Sequence, residues 1–398
     1  MKRLAGARSF KIPGGVWALG FVSLLMDISS EMIHSLLPIF MVLTLHTGVF
    51  AVGLLEGLAE STALVVKVFS GTLSDYFGKR KPIAALGYGL AAFTKPLFAV
   101  ASGAGLIYAA RLVDRVGKGI RGAPRDALIA DLTPAPVRGA AFGLRQSLDT
   151  IGAFVGPLLA IALMLLWGND FRAVFWVAVI PALLSFFLIL FLVKEPKRKS
   201  THIRKNPISW KNLKRLKPLY WQIVAIGAIF TLARFSEAFL VLRSQKEGLP
   251  IAWVPLVMVV MNLVYAATAY PFGKLSDKVN RGTLLAFGLV VLIASDLFLA
   301  VNGHWGLALF GVVLWGIHMG MTQGLLSAMV ADAAPDDLRG TAYGVFNLAS
   351  GAALLVSSVL AGALWEGFGP AFTFYAGAVF CLLTLLGLAW LRVRRVFD

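Results

Sequence analysis

Cysteine is almost missing: Cys381, inside an apolar run, is the single one in 398 residues. One thiol cannot build a disulfide framework, a zinc site or an iron–sulfur site. Charge is scarce as well, at 14%, and acidic charge scarcer still, with 20 Asp and Glu against 37 Lys and Arg. No phosphate-cradling glycine loop and no nucleophile–base constellation stands out, so the chain reads as a non-enzyme with no cofactor and no resident metal. What fills it is hydrocarbon: 58% of the residues are hydrophobic and mean hydropathy is +0.80. That composition points to an all-α, polytopic membrane protein whose first partner is the lipid bilayer. The net charge of +17 does not signal nucleic acid, because the basic residues sit in short connections and at the chain ends.

Apolar runs long enough to span recur at 16–43, 48–72, 82–102, 104–131, 138–167, 171–193, 219–243, 251–273, 283–301, 304–331, 338–365 and 369–391, which gives twelve helices. The interval 194–218 carries ten Lys/Arg against one Glu and divides the runs six and six. The expected organisation is a six-helix bundle over 1–193, a basic linker over 194–218 and a second six-helix bundle over 219–398. By alternation, the side holding both termini and that linker holds 25 of the 37 Lys/Arg, so it is expected to be cytoplasmic. The basic start (Lys2, Arg3, Arg8, Lys11) leads into a run too long for a signal peptide, and a retained first helix is expected.

The halves repeat. Gly71-Thr-Leu-Ser-Asp75 with Gly78, Lys79 and Arg80 returns as Gly273-Lys-Leu-Ser-Asp277 with Arg281. Ala127-Leu-Ile-Ala-Asp131 and Arg138-Gly-Ala-Ala-Phe-Gly143 return as Ala328-Met-Val-Ala-Asp332 and Arg339-Gly-Thr-Ala-Tyr-Gly344, with offsets of 202 and 201 residues (273 − 71 and 332 − 131). Two related bundles about an axis along the membrane normal are the expected outcome, an arrangement suited to rocking around a central site.

On these residues the chain resembles the major facilitator superfamily, over essentially its whole length. Gly71 to Lys81 is similar to that superfamily's signature loop between helices 2 and 3, and the resemblance gives Gly71, Asp75, Gly78, Lys79, Arg80, Gly273, Asp277 and Arg281 a gating and structural role. Gly152-Ala-Phe-Val-Gly156-Pro157 resembles the family's antiporter motif, in which small residues four apart permit tight helix packing and the proline bends the helix. The resemblance implies alternating access by a secondary transporter, here a proton-coupled antiporter or exporter in the inner (plasma) membrane of a bacterium, working as a monomer.

The fourth run is the anomaly. Arg111, Arg115, Lys118 and Arg125 are spaced by four, three and seven residues, so they share a helix face. Charge this deep in hydrocarbon costs at least a few kcal/mol unless it meets protein, water or a counter-charge. Counter-charges are at hand: Asp27 and Glu31 with His34 in the first run, Glu56 and Glu60 in the second, Asp114 in the fourth. The expectation is a proton-coupling network of Asp27, Glu31, Glu56, Glu60, Arg111, Asp114, Arg115 and Lys118, with the charges of the fourth run facing Asp27 and Glu31 across a cavity. At an offset of 201, Arg111, Asp114, Arg115 and Lys118 become Val312, Trp315, Gly316 and Met319, so the scaffold does not require them. His34, Arg145, Asp149, Arg234, Glu237, Asn262, Trp315, His318, Gln323 and Asn347 are expected to shape the substrate pocket.

The substrate expected is a small organic molecule, anionic or amphipathic. Two other readings are open: a transporter of transition metals or metal-siderophores, since Asp27, Glu31 and His34 offer oxygen and nitrogen ligands, and a non-transporting receptor or lipid-moving protein.

Overall fold

Hydrocarbon offers backbone groups no water to bond, so each apolar run must close its own hydrogen bonds as a helix. In the computed structural model, which describes residues 12–77, 79–195, 213–276, 278–322, 324–335 and 338–393, all twelve runs are helical. The first half comprises α1 (Gly14–His34), α2 (Val49–Phe77), α3 (Arg80–Val100), α4 (Ala104–Leu132), α5 (Arg138–Leu166) and α6 (Phe171–Leu192). The second comprises α7 (Pro218–Leu232), α8 (Ala238–Lys246), α9 (Leu256–Ser276), α10 (Arg281–Ala300), α11 (Trp305–Thr322), α12 (Leu325–Ala333), α13 (Arg339–Phe368) and α14 (Pro370–Val393).

Three runs expected as single helices are interrupted. The first turns after His34, because Pro38 has no N–H to return to the carbonyl of residue 34; it resumes over Leu37–Ile39 and a π-helical turn, Phe40–Thr44. The tenth breaks before Gly324, whose φ of +79° is a left-handed conformation that favours glycine. The seventh opens between α7 and α8 without proline or glycine. Serines of α13 satisfy the freed backbone there: Ser357 Oγ donates to the Leu232 carbonyl (2.7 Å), and the Ser236 N–H donates to Ser358 Oγ (3.3 Å). Among the described residues, ten helical stretches are long and apolar enough to cross a membrane. The two runs that fall short are α4, long enough at 29 residues but charged, and the broken pair α7 and α8. Outward-facing Phe191, Leu166, Tyr270 and Phe93 leave a large apolar surface, which suits lipid and not water.

In the first half α1 packs between α5 and α6, and α4 between α2 and α3; in the second, α11 packs between α9 and α10. The halves meet where α2 runs against α13 and α5 against α9. Bare glycines bring them close: a Cβ on Gly53 would lie 2.4 Å from the Ser358 carbonyl, and one on Gly362 2.9 Å from Phe50 Cα. The Glu366 carboxylate accepts the Phe50 N–H at 2.9 Å. These contacts sit at the end of the bundle opposite the termini.

At that same end two arginines close the C-termini of equivalent helices, where unpaired carbonyls attract cations. Arg172 donates to the carbonyls of Ala99 and Ala101 at the end of α3 (2.9 and 2.7 Å). Arg243 donates to those of Leu299 and Val301 at the end of α10 (2.7 and 2.9 Å) and pairs with Glu247 at 3.0 Å.

Candidate functional site

The charges of α4 divide into fixed and free. Arg111 pairs with Glu56 at 2.9 Å, Arg115 with Glu60 at 3.0 Å, and Lys95 of α3 with Asp114 at 2.9 Å; Lys95 also donates to Ser30 Oγ at 3.0 Å. Asp114 and Arg115 are 3.9 Å apart. Glycines permit this closeness. A Cβ on Gly117 would lie 2.6 Å from the Gly87 carbonyl of α3, and one on Gly119 2.9 Å from the Ala63 carbonyl of α2. The expectation that Arg111 and Asp114 face Asp27 and Glu31 is therefore corrected: both are buried against α2 and α3, because neighbouring helices supply their counter-charges. Only Arg115 and Lys118 of that quartet reach the cavity.

Asp27 and Glu31 owe their placement to the small-residue motif of α5. A Cβ on Gly152 would stand 2.7 Å from the Leu24 carbonyl and 3.0 Å from Asp27 Cβ. One on Gly156 would stand 2.7 Å from the Ile28 carbonyl and 3.0 Å from Glu31 Cβ. The motif presses α5 onto the face of α1 that carries both acids, with Pro157 buried beside it. Replacing Gly156 by valine is expected to cost about 1–3 kcal/mol through forced backbone separation, measured as a lowered Tm in detergent. Gly143→Ala, on the same helix with open space around it, is expected to leave Tm unchanged.

His34 lies between two acids, with Nδ1 3.6 Å from Glu31 and Nε2 3.4 Å from Glu56. It thereby links the cavity wall to the buried Arg111–Glu56 pair.

Two adjoining cavities separate the halves near mid-span. The first, about 340 Å³, is walled by Glu31, His34, Glu56, Glu60, Arg115 and Lys118 on one side and Arg234, Phe235, Glu237, Asn262 and Trp315 on the other. The second, about 380 Å³, shares Glu31, Glu60, Lys118 and Asn262 with it. It continues along Asp27, Lys67, Arg121, Arg125, Gln146, Asp149 and Tyr265 toward the end of the bundle that carries the termini. Among the described residues the side chains of Asp27, Lys118, Arg234 and Glu237 make no hydrogen bond or ion pair, although Arg234 lies 5.6 Å from the centre of the Phe230 ring. The cavity thus holds acids and bases whose counter-charges are not fixed by the fold.

Several expected pocket residues lie elsewhere. Arg145 pairs with Asp126 and Asp149 at 3.0 Å each, and of these three only Asp149 lines a cavity. His318 is wholly buried, its Nδ1 3.0 Å from the Trp315 carbonyl, and Asn347 lines neither cavity. A polar residue on an apolar helix satisfies the sequence criterion equally well when it points into packing. Gln323, Gly78 and Asp277 lie outside the described residues, as does the side chain of Asp75. Asp27, Glu31 and His34 are not assembled as ligands, since Asp27 lines the second cavity while His34 turns to Glu56. No group of three or more His, Cys, Asp or Glu among the described residues is placed to hold a metal ion.

The repeated loops yield a matched pair of contacts. Arg80 binds Asp131 at 2.8 Å, and Arg281 binds Asp332 at the positions one repeat later. Each joins the start of the third or ninth run to the end of the fourth or tenth, within one half. Lys79 is exposed, a Cβ on Gly71 would stand 3.3 Å from Ala123, and Gly273 has open space.

Sequence reasoning missed Arg121, whose guanidinium lies 4.9 Å from the centre of the Tyr88 ring, and Gln146, Thr150, Tyr265 and Phe235 as cavity walls. Arg121 was legible as surplus charge on α4; nothing in local composition marked the others.

The pattern of the Major Facilitator Superfamily matches residues 19–260 and 244–397. An uncharacterized MFS-type transporter of Methanocaldococcus jannaschii is 33% identical over 377 residues, covering 93% of this chain and 92% of its own. Multidrug resistance protein MdtH of Photorhabdus laumondii is 26% identical over 344 residues (83% and 82% of the two chains). Quinolone resistance protein NorA of Staphylococcus aureus is 22% identical over 364 residues (88% and 90%). Among solved structures, a variant of the peptide transporter POT superposes with a TM-score of 0.79 at 13% identity, over 97% of this chain and 96% of the other. A bacterial homologue of the human lysosomal transporter Spinster, captured inward-facing and occupied, gives 0.74 at 14% identity over 96% of each chain. At these identities the structures share the fold.

Proposed function

The chain belongs to the major facilitator superfamily of secondary transporters, and from that premise we propose that it exports a small amphipathic molecule bearing an anionic group in exchange for protons. The observation that carries the reading is a cavity between the halves in which Asp27, Lys118, Arg234 and Glu237 face space with no fixed counter-charge. In a site of low dielectric an unpaired charge is unfavourable until something neutralises it. Lys118 and Arg234, on opposite walls, suit an anionic substrate group; Asp27 and Glu31 suit protons; Trp315 and Phe235 give an apolar body a surface to pack on. The relatives named for multidrug and quinolone resistance support an amphipathic export substrate.

Transport by alternating access then follows. The halves 1–193 and 219–398 rock about the cavity, with the termini and the basic linker on the cytoplasmic side as the charge bias requires. In the state described here the halves meet at the end opposite the termini, so the cavity faces inward. A proton on Asp27 or Glu31 raises the cavity's charge by one and the substrate's anion on Lys118 and Arg234 lowers it by one, so export of the anion against an inward proton carries net positive charge inward.

The test is reconstitution into proteoliposomes with an imposed pH gradient, using a fluorescent fluoroquinolone as the probe because it carries a carboxylate on an aromatic body. Proton-driven movement and counterflow of the probe are expected; binding with no counterflow would mark a receptor and overturn the reading. Lys118→Gln and Arg234→Gln are each expected to weaken probe binding about tenfold, the loss of one charge-assisted contact. An ester of the probe, lacking the anion, is expected to bind wild type and variants alike.

A further inference from the structure

One acid lies outside this network. Asp296 of α10 has no exposed surface, and neither of its carboxyl oxygens has a hydrogen-bond partner. It rests against bare backbone: a Cβ on Gly377 of α14 would stand 2.6 Å from Asp296 Oδ2 and 3.1 Å from Phe235 Cε1. Phe235 and Trp315 both wall the first cavity, with ring centres 5.4 Å apart, and Trp315 Nε1 is itself buried without a partner. Phe235 therefore stands between the acid and the cavity, with Trp315 packed against it as the rest of that aromatic layer.

The repeat says what is missing. At the offset of 201, Lys95 corresponds to Asp296 (95 + 201) and Asp114 to Trp315 (114 + 201). In the first half these positions form an ion pair at 2.9 Å; in the second an acid stands at the cation's position and a tryptophan at the acid's, so the pair has no cation. The elements packed on α10 do not supply one. From α11 comes His318, whose Nδ1 is engaged at the Trp315 carbonyl and whose Nε2 is buried without a partner and makes no ion pair with Asp296; from α14, the buried thiol of Cys381; from α12, Asp332, held by Arg281 fifteen residues down the helix. Arg234, at the break after α7, stays on the cavity side over Phe230 with its Nε unpartnered. An ionised carboxylate buried in this way is far costlier than its neutral acid.

Building on the proton-coupled reading above, we propose that Asp296 is a second proton-binding site, in the C-terminal half, loaded and unloaded through the cavity when the layer of Phe235 and Trp315 parts. While the layer is closed the carboxyl holds its proton as the neutral acid. When it opens, cavity water or the Arg234 guanidinium stabilises the carboxylate, and the proton leaves to water as hydronium. The reverse step reloads it, so charge and atoms balance in each direction.

The experiment compares wild type with Asp296→Asn, which keeps the shape of the neutral acid. Probe counterflow at equal pH is expected to persist, while accumulation driven by a pH gradient is lost and the measured proton-to-probe ratio falls. An unchanged ratio and unchanged gradient-driven accumulation in Asp296→Asn would overturn the proposal. A wild-type protein whose transport ignores the pH gradient would instead overturn the proton-coupled reading. Infrared difference spectra between acidic and alkaline media, taken on wild type and Asp296→Glu, do not depend on the asparagine variant folding. A carboxylic-acid carbonyl band that titrates and shifts in Asp296→Glu supports the site, and a spectrum identical in the two proteins contradicts it.

Discussion

Glu56→Gln is expected to destabilise the protein by about 3–5 kcal/mol, because it strands the Arg111 guanidinium in the interior without its anion. Glu56 and Arg111 are each about 1% exposed, with Glu56 bordering the first cavity, and Gln supplies a dipole where a full charge is needed. The loss should appear as a large fall in Tm and in yield of folded protein, with transport lost in consequence. The second half of the chain suggests the remedy. At offsets of 202 and 201, Glu56 and Arg111 correspond to Met258 and Val312, both buried on packed helices. The double variant Glu56→Met with Arg111→Val is accordingly expected to recover most of the stability, as apolar replacement of buried pairs often does. Recovery of Tm without recovery of transport would assign the pair to the mechanism; recovery of both would assign it to the scaffold. A single Glu56→Gln variant as stable as wild type would contradict the pairing itself.

Asp27→Asn combined with Glu31→Gln is expected to fail differently. These acids are half-buried on the cavity wall; no cation is fixed to Asp27, and Glu31 has only His34, 3.6 Å away. Their loss leaves no stranded charge beyond His34, which keeps Glu56 as a neighbour, so Tm should stay close to that of wild type. Proton-driven movement of the fluorescent probe should disappear, while counterflow at equal pH on both sides continues. Neutralising Asp114 in the same assay is expected to remove both activities together, because it breaks the buried pair with Lys95. The contrast separates groups that carry protons from groups that hold the frame. Persistence of proton-driven transport in the Asp27/Glu31 double variant would remove α1 from the coupling mechanism.

Much of the architecture was readable from hydropathy because a membrane leaves a chain little choice: an apolar run of spanning length must be a helix. The breaks were less readable. Pro38 marks the first, but the opening around Arg234 to Glu237 is stabilised by Ser357 and Ser358 of a helix more than a hundred residues later, a relation that no local window contains. The charge network was legible as a set and not as pairs. Helical spacing places Arg111, Asp114, Arg115 and Lys118 on neighbouring faces, yet which face meets which acid depends on α2 and α3 flanking α4, and that depends on Gly87, Gly117 and Gly119 allowing the approach. The repeat was the most informative signal. It anticipated that the halves differ in charge, and the structure turns that difference into partners: where Lys95 meets Asp114 in one half, Asp296 is left alone in the other.

The reading as an exchanger of protons for an anionic amphipath rests most directly on proton movement coupled to substrate movement. Proteoliposomes enclosing a pH-sensitive dye, loaded with the fluorescent probe and diluted into probe-free medium at equal pH, measure both at once. Probe efflux accompanied by protons moving in the opposite direction, abolished in the Asp27/Glu31 double variant, is the expected result. Probe efflux that leaves the internal pH unchanged would contradict it.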